Sequence, residues 1–430
     1  MVQPTLVSLF SGAGGLDYGF EQAGFRTGVA VEMDSWCCRT LRASRPRWEV
    51  VERNIAQVKT SEMLQRAGTK AGDLDLVIGG PPCQPFSKAG YWVTGDTRRL
   101  ADPRAHTLAE YLRVIEQAQP RAFLLENVEG LAYSEKDDGY AFLRKGVRAV
   151  NRRLGTRYKL SAAKVNAASY GVPQLRTRFI VVGSREGDEF DFPAPTHAAA
   201  EEFGESGSGR GLLPYTTAWQ SIGDLSPPPD LDLAPTGRWA ELLPTIPEGQ
   251  NYLWHTSKGI ELAKASGAGV VGHEIFGWRR HFWTFLLKLA KDRPSWTLQA
   301  QPGPAVGPFH WDSRRFSPRE LARLQTFPDD VHLQGPLRAA QKQAGNAVPS
   351  RLAEAIAREI RTQLLGLPPI RRPSILLPQV DLPVPPPAKV AKLPAAFDKL
   401  VGSHESHPGT GEGYGAKRRP RPAEQLNLGW

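Results

Sequence analysis

Thr5-Leu6-Val7-Ser8-Leu9-Phe10-Ser11-Gly12-Ala13-Gly14-Gly15 carries an apolar, strand-forming run straight into a glycine-rich turn, and the helical pattern Leu16 to Ala23 follows it. A buried strand, a tight turn and a helix in that order form the opening unit of an open α/β sheet. Glycines in such a turn let a ligand approach the backbone, and the helix N-terminus offers free N–H groups to a carboxylate or phosphate. The next strand, Gly28-Val29-Ala30-Val31, ends in Glu32. An acidic residue at the end of the second strand commonly accepts from ribose hydroxyls, so turn and carboxylate together point to a nucleoside-containing cofactor.

The alternation continues outward from this unit. Ser35 to Ser44 reads as a helix, and Val50-Val51 leads as a third strand to Arg53-Asn54-Ile55. A fourth strand, Leu74-Asp75-Leu76-Val77-Ile78, runs into Gly79-Gly80-Pro81-Pro82-Cys83-Gln84-Pro85-Phe86-Ser87. Two glycines end the strand and two prolines stiffen the backbone, which holds Cys83 at the carboxyl end of the sheet, where ligands bind. A thiol there is a candidate nucleophile; an isolated cysteine is more often a small buried hydrophobe, and both readings stand at this point. Residues 91–104 are polar and read as a mobile segment. A helix is expected from Thr107 to Ala118, and the strand Ala122-Phe123-Leu124-Leu125 delivers Glu126, a carboxylate costly to place at a buried strand end without a partner. A helix from Tyr140 to Leu154 and a strand from Tyr158 to Val165 precede Gly171-Val172-Pro173-Gln174-Leu175-Arg176-Thr177-Arg178, which feeds the strand Phe179 to Val182. The period of two places Arg176 and Arg178 on one strand face, as a solvated edge or as a clamp for an anion and a base.

The fold class expected is therefore α/β, a Rossmann-like doubly wound sheet with a second, smaller domain. Residues 1–194 form the first domain. Near Asp191 the pattern stops, 198–211 is rich in Ala, Glu, Gly and Ser, and a second domain over 195–311 mixes prolines with Trp254, Trp278, Arg279, Arg280, His281, Trp283, Lys288, Lys291 and Arg293. Interleaved rings and cations suit nucleic acid, and a solvated face accounts for them nearly as well. Ser317-Pro318-Arg319-Glu320 has the signature of a capped helix start. With the turn at 343–350 and a helix from Arg351 to about Leu365, it makes 312–366 a return segment completing the first domain. The proline-rich, basic tail 367–430 is expected to be disordered.

The net charge of +10, from 54 basic against 44 acidic residues, suits a polyanionic partner. Three cysteines, two of them adjacent, make neither a disulfide framework nor a zinc spacing, which suggests a reducing, cytoplasmic compartment. No stretch reaches the ~18 apolar residues of a membrane span.

In this order the pieces resemble the motif set of the DNA cytosine-C5 methyltransferases. They are Phe10-Ser11-Gly12-Ala13-Gly14-Gly15, Pro82-Cys83-Gln84, Glu126-Asn127-Val128, Gln174-x-Arg176-x-Arg178, Arg319-Glu320-x-x-Arg323-Leu324-Gln325 and Gly345-Asn346-Ala347-Val348-Pro349. The resemblance implies S-adenosylmethionine as methyl donor and a cytosine flipped from duplex DNA as acceptor. It implies Cys83 as nucleophile, Glu126 as the group at the base N3, Arg178 as a donor to O2, Arg176 as support for the nucleophile region or the closing loop, and residues 88–104, with Gly90, Gly95 and several cations, as a mobile lid over the extruded base. Phe10, Gly12, Gly14, Gly15, Glu32, Met33, Asn54, Ile55, Pro82, Asn346 and Val348 would surround the cofactor, with Asn54 standing where the family usually has Asp. The second domain would read the DNA sequence. The implied partners are double-stranded DNA and a cognate restriction endonuclease, with no metal, no membrane and a monomeric, nucleoid-associated enzyme. A tRNA methyltransferase shares these motifs, but the long second domain argues for DNA. A catalytically silent regulator would be expected to lack Cys83 or Glu126.

Overall fold

The computed structural model describes residues 3–82, 106–129, 138–199, 211–265, 267, 269–279, 282–376 and 380–405. Strand β1 (Thr5–Leu9) passes through α1 (Gly15–Gln22) to β2 (Arg26–Glu32), and α2 (Ser35–Ser44) leads to β3 (Glu49–Glu52). After α3 (Thr60–Ala67) the chain returns to the middle of the sheet as β4 (Leu76–Gly79), followed by α4 (His106–Ala118) and β5 (Ala122–Val128). Helix α5 (Asp138–Leu154) precedes β6 (Lys159–Asn166), the short β7 (Gln174–Leu175) and β8 (Thr177–Ser184). Across the seven-stranded sheet the order is β3-β2-β1-β4-β5-β8-β6. Strands β1 to β5 are parallel, and β8 lies antiparallel between β5 and β6. The order reverses between β1 and β4, so both strand ends open onto the crevice where such sheets hold ligands.

Beyond the sheet come β9 (His197–Ala198), β10 (Leu213–Pro214), α6 (Ala218–Ile222), α7 (Ser257–Ala265), β11 (Ser295–Trp296), α8 (Pro318–Leu324), α9 (Leu337–Asn346) and α10 (Ser350–Glu359). The Ser317–Glu320 capping box starts α8 as its sequence predicts.

Strand alternation sorts the apolar side chains to two faces, which is why both sides of the sheet must be covered. Val77, Phe123, Leu125, Phe179 and Val181 join the core with α3, α4 and α5. Their neighbours Leu76, Ile78, Leu124, Ile180 and Val182 join the other core, with α1 and α10. The return segment thus supplies a helix that the first domain's own chain leaves missing. It reaches α1 through two glycines: a Cβ on Gly15 would overlap the Val348 carbonyl, and one on Gly19 would overlap the Ser350 carbonyl.

The second region has its own apolar core, containing Leu242, Leu243, Ile246, Tyr252, Trp254, Ile275, Leu286 and Phe309. Ala218, Ile222, Leu289 and Leu298 pack instead with Tyr18 and the return segment. Arg323 fastens the two, meeting Asp224 at 2.6 Å and Asp329 at 3.0 Å.

The expectation of a disordered tail from residue 367 is corrected over much of its length. Arg358 donates to the carbonyls of Ile370 and Arg372, Leu376 is buried, and Phe397 enters the second region's core. Backbone N–H groups and one aromatic ring, which proline-rich composition does not reveal, seat this segment. Residues 406–430, with the basic run 417–421, lie outside the described residues.

Gly19→Ala sets helix propensity, which favours Ala by about 1 kcal/mol, against overpacking at the α1–α10 crossing of about 1–3 kcal/mol. Overpacking should win, giving a net loss of stability measurable by urea denaturation.

Candidate active site

The turn after β1 is built from left-handed residues. Phe10, Gly12 and Gly14 have φ of 54°, 55° and 90°. A Cβ on Gly12 would meet no atom within 4 Å, so the backbone there faces open space. Glu32 closes the turn: its carboxylate accepts from the N–H groups of Gly12 at 2.8 Å, Met33 at 2.7 Å and Asp34 at 2.8 Å. A carboxylate offers about four lone-pair sites, so room for one further donor remains. Met33 is 67% exposed, an apolar side chain with a free face beside that carboxylate. These features fit a nucleoside: open backbone, a fixed acceptor and an uncovered apolar surface.

Asn54 is exposed, and its Oδ1 accepts from Ala56 N–H at 3.0 Å, so the residue caps the turn holding buried Ile55. Pro82 and Asn346 are exposed, while Val348 is buried against α1. Gly15 and Val348 therefore meet each other, and packing by itself requires a glycine at position 15.

Asp17, behind this turn, escaped sequence reading because nothing in a helical pattern marks it. It is fully buried, and neither carboxylate oxygen has a hydrogen-bond partner. Burial raises its pKa to about 7; the nearby Ser8 hydroxyl holds the shift back without a well-formed hydrogen bond, and Glu21 and Glu32 add to it.

At the other strand ends, β5 carries Glu126 opposite β8. Residues Glu126 and Val128 stand across from Ile180 and Arg178. The Arg178 Nε meets Glu126 Oε1 at 2.8 Å, both groups being nearly sealed from solvent. Burial raises the Glu126 carboxyl above its ordinary range, and the charges of Arg178 and Arg176 only partly offset this. The same burial lowers Arg178. An ion pair in so little water leaves each partner closer to its neutral form than usual.

This pair faces the turn that follows β4. A Cβ on Gly80 would lie 2.9 Å from Glu126 Oε2, so the glycine lets the carboxylate sit against the backbone three residues before Cys83. Asn127 Nδ2 donates to the Pro81 carbonyl at 3.2 Å and fixes the turn from the same strand. Asn127 is a positioning residue that the sequence reading passed over. Cys83 itself and the predicted lid 88–104 lie outside the described residues, as does Arg280.

The two arginines expected on one strand face do different work. The strand is interrupted at Arg176, whose buried guanidinium donates to the carbonyls of Leu298 (3.3 Å), Gly345 (2.7 Å) and Ala347 (2.8 Å) and to Gln174 Oε1 (3.4 Å). Gln174 in turn donates to Leu324 and accepts from Leu298 N–H. Arg176 therefore acts as a clamp on the return segment and the strand end.

Among the described residues, no helix is long and apolar enough to cross a membrane, and no three His, Cys, Asp or Glu side chains are placed to hold a metal ion.

A sheet of this order, with a nucleoside-type turn after its first strand, fits the S-adenosylmethionine-dependent methyltransferase fold that the sequence motifs imply. Comparison narrows the class. The family model described as C-5 cytosine-specific DNA methylase matches residues 5–362. The Type II methyltransferase M.SacI of Streptomyces achromogenes is 40% identical over 385 residues, covering 84% of this chain and 93% of that protein. M1.HphI of Haemophilus parahaemolyticus, also a Type II methyltransferase, is 33% identical over 83% of this chain and 86% of its own length. The fold resembles the solved Entamoeba histolytica methyltransferase EhMeth, with a TM-score of 0.54 at 14% identity over 85% of this chain and 99% of that one. The chain belongs to the C-5 cytosine-specific DNA methylase family and is a DNA cytosine-C5 methyltransferase that uses S-adenosylmethionine.

Arg176→Ala would strand buried carbonyls at roughly 1–3 kcal/mol each, so the loss should exceed that of an ordinary surface substitution severalfold. Chemical denaturation should register it, and Arg176→Lys, a point charge without the planar fork, should restore only part.

Proposed function

We propose that this enzyme methylates C5 of a cytosine extruded from one short duplex DNA sequence, through a covalent adduct with Cys83. The observation that carries this reading is the sealed Glu126–Arg178 pair set against Gly80, at the start of the turn bearing Cys83. Carbon 5 of cytosine is a poor nucleophile. Bonding of the Cys83 thiolate to C6 moves the ring electrons toward C5 as an enamine, which then takes the methyl group. Glu126, held nearer neutrality by burial, donates to N3 and makes that addition easier. Arg178 keeps Glu126 in place and offers its remaining donors to the base O2. A base then removes the C5 proton, the electron pair restores the ring and expels the Cys83 thiolate.

The methyl donor supplies an electrophilic methyl group. Gly12 backbone and Phe10 would border it, Glu32 would accept from its ribose, Met33 would cover its adenine and exposed Asn346 would hold its amino-acid end. Asn54 would share its Oδ1 between Ala56 N–H and the adenine amino group.

The recognition surface would lie beside the strand end that carries Arg176 and Arg178. Trp296 pairs with Leu175, next to Arg176, and its ring lies 5.2 Å from Trp283. Phe282, Trp283 and Trp296 are all substantially exposed, and Arg279 lies over Phe282. An exposed aromatic cluster with a cation, adjoining the strand end that carries Arg176 and Arg178, suits DNA. Relatives named as Type II methyltransferases support a modification role beside a restriction endonuclease on the same site, one chain carrying one active site.

Bisulfite sequencing of DNA from cells expressing the chain should reveal protected cytosines at one short sequence, absent with Cys83→Ala; unprotected DNA from the wild type would defeat the reading. Glu126→Ala should slow methyl transfer by about 10²–10⁴-fold. The raised carboxyl ionises as pH climbs, removing the donor to N3, so wild-type kcat/KM should fall on that limb while Glu126→Gln, already slowed, loses the fall.

A further inference from the structure

We infer that residues 380–405 are an intramolecular splint that sets the DNA-facing rim, and that Phe397 is a positioning residue for target recognition. This rests on the DNA reading of that rim given above.

The segment lies wholly beyond residue 362, where the family match ends. It leaves the first domain after Leu376, which is buried near α10. It then runs along the second region, without helix or strand as far as Pro394 and through a short 3-10 helix, Ala395–Leu400, that carries Phe397. Val380 N–H donates to Gln220 at 2.9 Å, Trp219 Nε1 donates to the Leu382 carbonyl at 3.0 Å, and Ala391 N–H donates to Pro244 at 2.9 Å. Glu248, buried in an ion pair with Lys291, also accepts from Ala388 N–H at 3.0 Å. Phe397 is 5% exposed and stacks on Trp239 with centroids 6.0 Å apart. Most other side chains of the segment are exposed, so a few anchors hold a long piece of chain.

Where the splint ends is the informative point. Gly402 N–H donates to the Glu274 carbonyl at 3.0 Å, His404 N–H to Glu274 Oε1 at 3.2 Å, and the Glu405 carbonyl packs directly on Gly277. These contacts lie at the start of the stretch that carries Arg279, Phe282 and Trp283. Further along, Tyr252 holds Arg279 through its hydroxyl, and Asn251 Nδ2 holds the Trp283 carbonyl at 2.8 Å. The rim is therefore pinned at three places, and the first pin comes from a segment remote in sequence. A loop held before DNA arrives loses less entropy on binding, so the pin should appear in DNA affinity and discrimination rather than in chemistry.

The test uses the full chain and the sequence that the wild type methylates. Phe397→Ala should raise KM for the target duplex by roughly tenfold, the cost of ordering a freed loop. It should also lower the ratio of target to one-base-altered methylation, with kcat and S-adenosylmethionine affinity near wild type. Phe397→Leu should restore most of the loss. Gly402→Pro, which removes the N–H to Glu274 at a position where an added Cβ meets no atom within 4 Å, should move KM the same way by a smaller factor while melting like the wild type. Unchanged DNA KM and discrimination in both variants would overturn the splint. So would a parallel fall in cofactor affinity and kcat, which would make the segment a support of the whole molecule. A wild type that methylates no DNA would instead refute the functional reading, and this inference with it.

Discussion

One buried guanidinium joins parts of this enzyme that the chain keeps far apart. Arg176 binds carbonyls of Leu298, Gly345 and Ala347, so a strand edge of the first domain, the end of the second region and the return segment meet at a single planar group. Its partners are neutral carbonyls, and burial pushes its pKa well down, which marks how costly the charge is there. The cost is tolerated because the return segment must be held: α10 covers one face of the sheet, and Val348 reaches Gly15 at the cofactor turn. Without that clamp, neither the sheet's apolar face nor the turn has its cover.

The pair proposed for the chemistry sits two residues further along. Arg178 faces Glu126 across the antiparallel β5–β8 pairing, an arrangement that the reversed β8 makes possible. Glu126 then rests on Gly80, and Asn127 grips Pro81, so β5 fixes both the proposed acid and the turn that leads to Cys83. A displacement of β5 would carry Glu126 and the Gly80–Pro81 turn together. Such shared mounting is what a reaction needing a thiolate and a proton donor on one ring requires.

Much of this was legible in the sequence because it depends on local patterns. The β1 turn, Glu32 at the end of β2, the stiff Gly-Gly-Pro-Pro turn and the Ser317 cap all announce themselves by spacing. The roles within Gln174-x-Arg176-x-Arg178 do not. A period of two predicts a shared face, but the interruption at Arg176 depends on carbonyls 122 to 171 residues away in the chain. Asp17 hides for the same reason, since its burial is decided by α1 docking on the sheet. The tail misled in the opposite direction: its prolines lower the number of backbone donors and look disordered, yet Phe397 and a handful of N–H groups suffice to seat it.

The central claim is that Cys83 bonds to the target cytosine, and trapping tests it most directly. A duplex with 5-fluorocytosine at the methylated position has no C5 proton for a base to remove, so the adduct should persist after methyl transfer. Mass spectrometry under denaturing conditions should then find the chain joined to the DNA strand with one added methyl group, dependent on S-adenosylmethionine and absent from Cys83→Ala. A wild-type chain that methylates ordinary cytosine at this site but yields no adduct would contradict the account.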